Sequence, residues 1–317
     1  MLFVKEKIMK KYCFLFLSLI FFACNQNSDK KNVVPQEHPK EFFKTVEGVE
    51  FKMIKVKKVR KATLGKKSDK ERVVTLSEFY IAETEVTQEL YKAVTGKEPS
   101  YFNESKAITE GEVQSKRPVE CVNWYEAALF CNALTEKLIG KQECVYTLED
   151  IEEESGIITK AKVTWDFSKK GYRLPTEAEF EYAARGGDAN VVFAGGNYTI
   201  NDPTGEEYAI PPLKEVAWFN GNANHMTHEV AKKLANGYGL YDMSGNVMEW
   251  CNDYYVKPIP ENVEKDPQGP DKDEGIHTCK GGGYGPGGYS QCVVSGRTPL
   301  ISEARLDDVG FRMVCRL

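Results

Sequence analysis

Residues 171–187 read Gly-Tyr-Arg-Leu-Pro-Thr-Glu-Ala-Glu-Phe-Glu-Tyr-Ala-Ala-Arg-Gly-Gly, and this stretch predicts a short helix with defined ends. Thr176 followed by Glu179 is the pattern of a capping box, in which each side chain accepts from the other residue's backbone N–H. Gly186 stands where helices commonly end, because glycine adopts the left-handed backbone without steric cost. Arg173 precedes the helix and Glu177 lies in its first turn, so we expect both to act in the scaffold and not in chemistry.

The segments before this helix alternate between short strands and two further capped helices. Apolar alternation between residues 46 and 81 predicts several small strands. Thr87 and Asn123 stand where helix N-caps belong, each followed by apolar residues at helical spacing. A hairpin is expected between residues 144–146 and 163–165. Short strands, few helices and many glycine-containing turns indicate a loop-rich fold of mixed class.

Composition excludes several classes of protein. The chain has 317 residues, 42 Lys+Arg against 47 Asp+Glu, a net charge of -5 and 41% hydrophobic residues, which is ordinary for a globular domain. Nucleic-acid binders usually carry a basic domain, so we expect no nucleic-acid partner. No apolar run reaches the roughly 20 residues that a membrane-spanning helix needs.

The N-terminal segment has the pattern of an export signal. Lys10 and Lys11 precede an apolar run that ends at Ala23 and Cys24, as in a bacterial lipoprotein signal peptide covering residues 1–24. We expect Cys24 to be lipidated; the alternative is an ordinary secretory signal whose cysteine is incidental. Residues 25–45 are polar and read as a tether before a domain of residues 46–317. The expected location is the bacterial membrane by lipid anchor, at the cell surface.

Seven of the nine cysteines follow Cys24, and their pairing is open. An exported protein can form disulfides, but an odd number leaves at least one cysteine unpaired or paired between molecules. Burial as small apolar residues is the favoured interpretation for most of them. No CxxC pair occurs, and the four histidines include a loop pair, His225 and His228, that we expect to be solvated.

Five separated blocks carry a resemblance to a known family. They are Glu-Val-Thr at 85–87, the stretch 173–187, Gly-Leu-Tyr-Asp-Met-Ser-Gly-Asn-Val-Met-Glu-Trp at 239–250, Gly-Gly-Gly-Tyr at 281–284 and Gly-Phe-Arg at 310–312. Their order resembles the formylglycine-generating-enzyme (sulfatase-modifying factor) family from about Gly48 to the C-terminus. The resemblance implies an α+β variant of the C-type lectin fold, loop-rich, with short twisted sheets and two main helices.

The chain departs from the family at the residues that carry its chemistry. Enzymes of the family bind copper through two cysteines five residues apart, and Cu(I) needs such soft thiolate ligands. Pro286 and Gln291 stand at those two positions here. We therefore expect no catalytic residue, no required cofactor and no enzyme activity. The alternative is an enzyme of this sulfatase-modifying family acting on an exported protein.

The window of residues 284–312 resembles the variable region of proteins diversified by reverse-transcriptase cassettes, the diversity-generating retroelements, and is most similar to the treponemal variable lipoproteins. A skeleton of Cys292, Arg297, Arg305 and Phe311, with Gly282 before it, implies a fixed support. These cassettes mutate adenines, and almost every other residue of the window has a codon that an Asn codon can become. The alternative is an ordinary glycine-rich lectin loop. The candidate ligand contacts are Tyr284, Pro286, Gly288, Tyr289, Ser290, Val294, Thr298, Pro299, Leu300, Ile301, Leu306, Asp307 and Asp308.

Two further expectations follow from the same resemblance. Asn246 and Glu249 lie in a block similar to a calcium-binding segment of the family, and amide and carboxylate oxygens suit a hard cation. Calcium bound there would be structural. The alternative is that both residues only cap loops. The ligand of the window is unknown, and we expect a protein or another cell-surface molecule.

Overall fold

A computed structural model describes residues 41–65, 72–106, 109–195, 213–257, 264–270, 275–287 and 290–316. The expected signal peptide with Cys24, residues 25–40 of the expected tether and the candidate contacts Gly288 and Tyr289 lie outside these residues. Residues 41–45, which were also expected to belong to the tether, are instead part of a β-strand. Within the described part of the chain, no helix is both long enough and apolar enough to cross a membrane.

The described residues form short strands, three α-helices of eight or more residues and a four-residue helical segment at 213–216. The helices are α1 (Gln88–Thr95), α2 (Trp124–Leu138) and α3 (Glu177–Ala184). The strands are β1 (Glu41–Val46), β2 (Val49–Val56), β3 (Val59–Leu64), β4 (Arg72–Leu76), β5 (Phe79–Ala82), β6 (Tyr146–Glu154), β7 (Ile157–Trp165), β8 (Met248–Tyr254), β9 (Glu264–Lys265), β10 (Ile276–Lys280), β11 (Thr298–Ile301), β12 (Val309–Gly310) and β13 (Val314–Cys315).

Two four-stranded sheets organise the fold. The first has the order β1-β2-β5-β13, so the last strand of the chain pairs with β5, with Val314 opposite Ile81. The second has the order β11-β10-β8-β12, and its two edge strands, β11 and β12, both lie within the predicted window. A three-stranded sheet, β3-β4-β9, and the hairpin β6-β7 complete the arrangement. The hairpin was expected, but each of its strands extends to nine residues.

The predicted helix starts are confirmed. Thr87 Oγ1 accepts from the backbone N–H of Leu90 at the start of α1. Asn123 and Thr176 each take part in a complete capping box, with Glu126 and Glu179 as the reciprocal partners. Each cap satisfies backbone donors that the first helical turn cannot pair internally, which fixes where each helix begins.

The main core lies between α2 and the two four-stranded sheets. Trp124 and Trp250 are fully buried, and their ring N–H groups donate to the backbone carbonyls of Cys251 (2.9 Å) and Val122 (3.0 Å). Phe311 packs edge-on against Phe130, with ring centroids 5.2 Å apart. The rings therefore contribute apolar burial while their polar atoms stay paired.

A buried ion pair locks α3 to the segment before it. The Arg173 guanidinium donates to both carboxylate oxygens of Glu179, each at 2.7 Å, and both side chains are about 2% exposed. Burial alone would raise the pKa of Glu179, but the adjacent Arg173 holds that pKa below its usual value. Arg173 thus belongs to the scaffold, and its partner is Glu179, the capping-box residue, and not Glu177.

Replacing Arg173 with alanine should destabilise the protein by about 3–5 kcal/mol, because it leaves the Glu179 carboxylate buried without its cation. Urea unfolding followed by circular dichroism measures the change. The matched control is Lys162→Ala, which removes an exposed pair with Glu149 (3.2 Å) and should leave the unfolding midpoint unchanged. Equal midpoints for Arg173→Ala and the wild-type protein would contradict this role.

Candidate functional site

The window begins at a glycine passage where the backbone allows no side chain. Gly282 has a φ of 68°, and a Cβ there would lie 2.6 Å from the backbone carbonyl carbon of Gln291. This close approach joins the start of the window to the segment around Cys292. Only glycine fits, because the position combines a left-handed backbone with a backbone neighbour that has no room to move.

Arg297 anchors the middle of the window to residues outside it. Its Nε lies 2.6 Å from Glu177 Oε1, and its Nη1 donates to the Val256 carbonyl (2.9 Å). The guanidinium also lies over the Tyr255 ring, 4.6 Å from the centroid. These contacts use the fork, the charge and the flat face of arginine together, which lysine cannot reproduce. Glu177 therefore serves the window as well as α3.

Three further skeleton residues are held by their surroundings. Arg305 Nε donates to the Cys121 carbonyl (2.6 Å) and lies 3.3 Å from Glu126. Cys292 is fully buried, and its carbonyl accepts from Ser244 Oγ (2.7 Å). Phe311 lies in the main core. All five skeleton residues thus have contacts that fix the backbone on which the candidate contact residues stand.

Eight of the candidate contact residues fall into two groups on opposite edges of the second sheet. Thr298 in the edge strand β11 pairs with Cys279 in β10, which pairs with Trp250 in β8, and β12 lies beyond β8. Neighbouring strands lie about 4.8 Å apart, so three spacings separate β11 from β12 by about 14 Å. Residues 306–308 directly precede β12, so the two groups lie at opposite edges of this sheet.

The first group, on β11, is an edge strand with alternating exposure. Pro299 and Ile301 face outward, and Ile301 is 50% exposed. Leu300 and Thr298 are half-buried, and Leu300 packs against the main core. The sequence therefore supplies two outward positions here, at Pro299 and Ile301, and two that also support the sheet.

The second group gathers around Tyr284, and we call it the Tyr284 face: Tyr284, Leu306, Asp307 and Asp308 of the window with Tyr101 and Phe102 from outside it. Tyr284 and Phe102 meet edge-to-face, with centroids 5.4 Å apart, and Tyr101 packs edge-on against Phe102 at 5.0 Å. Leu306 is 41% and Tyr101 is 47% exposed. The Cys121 N–H donates to the Leu306 carbonyl (3.0 Å), and this hydrogen bond joins the segment that contains Cys121 to the window.

Sequence reasoning missed Tyr101 and Phe102, because they stand almost two hundred residues before the window. The only local signal is an adjacent pair of aromatic residues in a polar loop, Pro99-Ser100-Tyr101-Phe102-Asn103. Their proximity to Tyr284 depends on how distant loops meet in the fold, and hydrophobic periodicity does not predict such contacts.

The remaining candidate contacts have mixed positions. Pro286 and Ser290 are exposed, and Ser290 Oγ donates to the Gly287 carbonyl (2.9 Å). Tyr284 is only 7% exposed and lies in a buried cluster with Phe102, which corrects its prediction as a surface contact residue. Val294 is 2% exposed and lies in a core cluster with Phe180, which corrects its prediction as a contact residue. A buried valine there closes the core beneath the loop.

The two residues at the enzyme family's cysteine positions hold no thiol, and the nearby thiols are poorly ionised. Pro286 is exposed, and the Gln291 amide packs against Gly287. Burial raises the pKa of the Cys292 thiol to about 12. Burial and the neighbouring Glu120 raise that of Cys121 to about 12 as well. Neither Pro286 nor Gln291 carries the soft sulfur ligand that Cu(I) prefers.

Asn246 and Glu249 do not fit a cation in this arrangement. Both Glu249 oxygens accept from Arg312, at 2.7 and 2.8 Å. Asn246 Oδ1 accepts from the His228 N–H (2.9 Å), and its Nδ2 donates to Glu85 (2.9 Å). Across the described ranges, no group of three or more His, Cys, Asp or Glu side chains is placed to hold a metal.

His228 is buried, which contradicts its expected solvation, whereas His225 is exposed. The His228 ring stacks on Trp218 with centroids 3.8 Å apart, and its Nδ1 lies 2.8 Å from Glu112 Oε1. Its Nε2 lies 3.0 Å from the Ala223 carbonyl oxygen. Both ring nitrogens of His228 have partners, and the Trp218 ring lies against it. These contacts offset the loss of hydration of the buried imidazole, and they hold the loop behind the Tyr284 face.

The fold and these blocks define the class of protein. Residues 32–317 match the sulfatase-modifying factor enzyme 1-like domain, and the chain belongs to that family. The predicted family and the predicted α+β fold of C-type lectin type, in the formylglycine-generating-enzyme subclass, are confirmed.

Particular relatives are similar to different extents. The solved structure of Treponema denticola variable protein 1 is 37% identical, with a TM-score of 0.75, and the match covers 88% of this chain and 100% of that one. The chaperone protein LppX of Paenibacillus barcinonensis is 38% identical over 62% of this chain and 70% of its own length. The mouse formylglycine-generating enzyme is 38% identical over 48% of this chain, and the match spans 40% of the mouse protein.

Gly282→Ala should lower the stability by at least about 2 kcal/mol, because it adds backbone strain and a close contact with the Gln291 backbone. Gly96→Ala is the matched control: Gly96 has a similar φ of 73° with nothing within 4 Å of the added Cβ. The control should show the strain alone, about 1 kcal/mol. The exposed change Ile301→Thr should stay within about 0.5 kcal/mol.

Thermal unfolding of the three variants measures these differences. If Gly282→Ala loses no more stability than Gly96→Ala, the close approach at the start of the window does not constrain the fold.

Proposed function

We propose that this chain is a surface-exposed lipoprotein that binds a ligand through residues 284–312, on a scaffold of the formylglycine-generating-enzyme family that does not perform the family's oxidation. One observation carries the proposal: exposed positions of the window alternate with skeleton residues whose partners lie outside it. Arg297 with Glu177 and Arg305 with Glu126 are the clearest examples. Side chains between such anchors can change while the backbone beneath them keeps its course.

The absence of a thiolate pair supports the binding role over the enzymatic one. Pro286 and Gln291 offer no soft ligand at the two positions where the enzymes of the family have cysteines. A scaffold that has buried ion pairs but lacks the reactive cysteine pair of the enzymes fits a protein selected for its surface.

Similarity to a variable protein supports diversification of the window. Treponema denticola variable protein 1 matches over 88% of this chain. In the present chain, Thr298, Pro299, Ile301, Asp307 and Asp308 all have codons that adenine mutation of an Asn codon produces. A nearby reverse transcriptase gene with an Asn-rich near-copy of the window would be the genomic counterpart.

A display library tests the proposal directly. Randomising Pro286, Pro299, Ile301, Leu306 and Asp307 should leave most clones folded, because surface substitutions typically change stability by less than about 0.5 kcal/mol. Protease resistance measures folding, and selection against a panel of unrelated folded proteins measures binding. We expect binders whose selectivity differs from clone to clone.

The control library randomises the five skeleton residues and should be mostly unfolded. An equal fraction of unfolded clones in both libraries would contradict the proposal of a variable surface. The enzymatic alternative has its own test, in which the protein is incubated with copper, a reductant and a sulfatase-motif peptide. Conversion of the peptide cysteine to an aldehyde, above a no-protein control, would favour the enzyme.

The lipid anchor is proposed from the sequence of the first 24 residues. Cys24→Ala should abolish incorporation of radiolabelled palmitate in the expressing bacterium, because the acylated sulfur is gone. Cys13→Ala is the matched control, since Cys13 lies inside the apolar run, and it should label like the wild-type chain. Labelling of Cys24→Ala at the wild-type level would refute the anchor.

A further inference from the structure

We propose that the Tyr284 face binds an arginine side chain of a protein ligand, with the loop 98–104 as a constant aromatic half and Asp307 and Asp308 as a variable acidic half. This inference rests on the proposed function, since it assigns a ligand chemistry to the same surface. The inference goes beyond the proposed function because it includes residues outside the window in the contact.

The aromatic half is rigidly held from behind. Glu120, which is fully buried, accepts from the backbone N–H groups of Tyr101 (2.8 Å) and Phe102 (3.1 Å). The Phe102 carbonyl accepts from Gln88 Nε2 (2.9 Å) on α1. The Tyr101 ring is therefore exposed on a backbone that is already ordered, which lowers the entropy lost on binding.

The acidic half has no cation of its own. Asp307 and Asp308 are adjacent and half-buried, and within the described ranges neither forms an ion pair with a lysine or an arginine. The nearby Arg305 is committed to Glu126 and to the Cys121 carbonyl. Burial and the charge of Asp307 raise the pKa of Asp308, and burial followed by both aspartates raises the pKa of Tyr284. Burial is the larger cause of both pKa shifts, and the charges of the neighbouring aspartates add to it.

The Tyr101 ring already accepts a cation from the chain itself. Lys106 Nζ lies 4.1 Å from the ring centroid, in the geometry of a cation–π contact. Lys106 is exposed, so the contact is one that an incoming cation can replace. The ring thus presents a surface suited to a positively charged group.

Arginine matches this combination better than lysine does. Its planar guanidinium can stack on an aromatic ring while its N–H fork pairs with a carboxylate. Leu306, exposed beside the aspartates, offers apolar area for the aliphatic stem. Because Asp307 and Asp308 stand in the window, the acidic half is the part that diversification changes, and Tyr101 and Phe102 remain the same.

The test uses the purified full chain and two fluorescein-labelled probe peptides, Leu-Arg-Leu-Arg and its analogue with citrulline at both arginine positions. Citrulline keeps the shape of arginine and removes the charge. We expect the arginine peptide to bind at least about tenfold more tightly, which corresponds to ~1.4 kcal/mol. Raising the salt from about 50 to about 500 mM should reduce that preference, because exposed charges are screened.

The variants assign the preference to named groups. Asp307→Asn with Asp308→Asn should bring the two peptides to within about twofold of each other. Glu149→Gln with Glu152→Gln removes the same charge from the exposed hairpin β6-β7 and should leave the preference intact. Lys106→Glu should strengthen arginine binding, since it frees the Tyr101 ring and adds negative charge; being exposed, it also tests the assignment if the aspartate variant fails to fold.

Equal binding of both peptides by the wild-type chain would overturn the assignment, as would a preference that survives the aspartate double variant or is weakened by Lys106→Glu. The outcomes separate this inference from the proposed function. If the window library yields binders while the wild-type chain does not prefer arginine, ligand binding stands and only the arginine assignment falls.

Discussion

The buried pair of Arg312 and Glu249 is the interaction on which the rest of the structure depends. Both side chains are fully buried, and the guanidinium donates to both carboxylate oxygens. It also donates to the carbonyls of Ala82 (3.3 Å) and Tyr241 (2.9 Å). One residue thus connects the end of the window to β8 and to β5. Because removal of one partner leaves the other charge buried without compensation, the pair fixes the return of the chain from the window.

The proposed function places two opposite requirements on the window, a fixed backbone and freely exchanged side chains. The structure meets the first through contacts with distant residues, such as Glu177 with Arg297 and Glu126 with Arg305. It meets the second by leaving Ile301 and Leu306 outside the core. Stability therefore resides in constant residues, and changes at the exposed positions have little effect on the free energy of unfolding. An enzyme site needs the reverse arrangement, with its exposed reactive groups held constant.

The sequence predicts local features well and long-range contacts poorly. The caps at Thr87, Asn123 and Thr176 depend on residues three positions apart, so the pattern alone locates them. The sequence does not show which carboxylate pairs with Arg173, because the pairing depends on the turn that precedes α3. The packing of Val294 and of Tyr101 depends on how loops meet across the sheet. The family's blocks supplied the fold, since periodicity alone does not determine the order of such short strands.

The position of β13 has a consequence for any copy of the chain whose reading frame is lost. Val314 and Cys315 complete the first sheet by pairing with β5, more than two hundred residues earlier in the chain. A copy whose reading frame is lost anywhere in the window also loses Arg312 and β13. Such a truncated chain lacks both the last strand and the central ion pair, so it cannot close its core. Folding therefore requires an intact reading frame through all of residues 284–312.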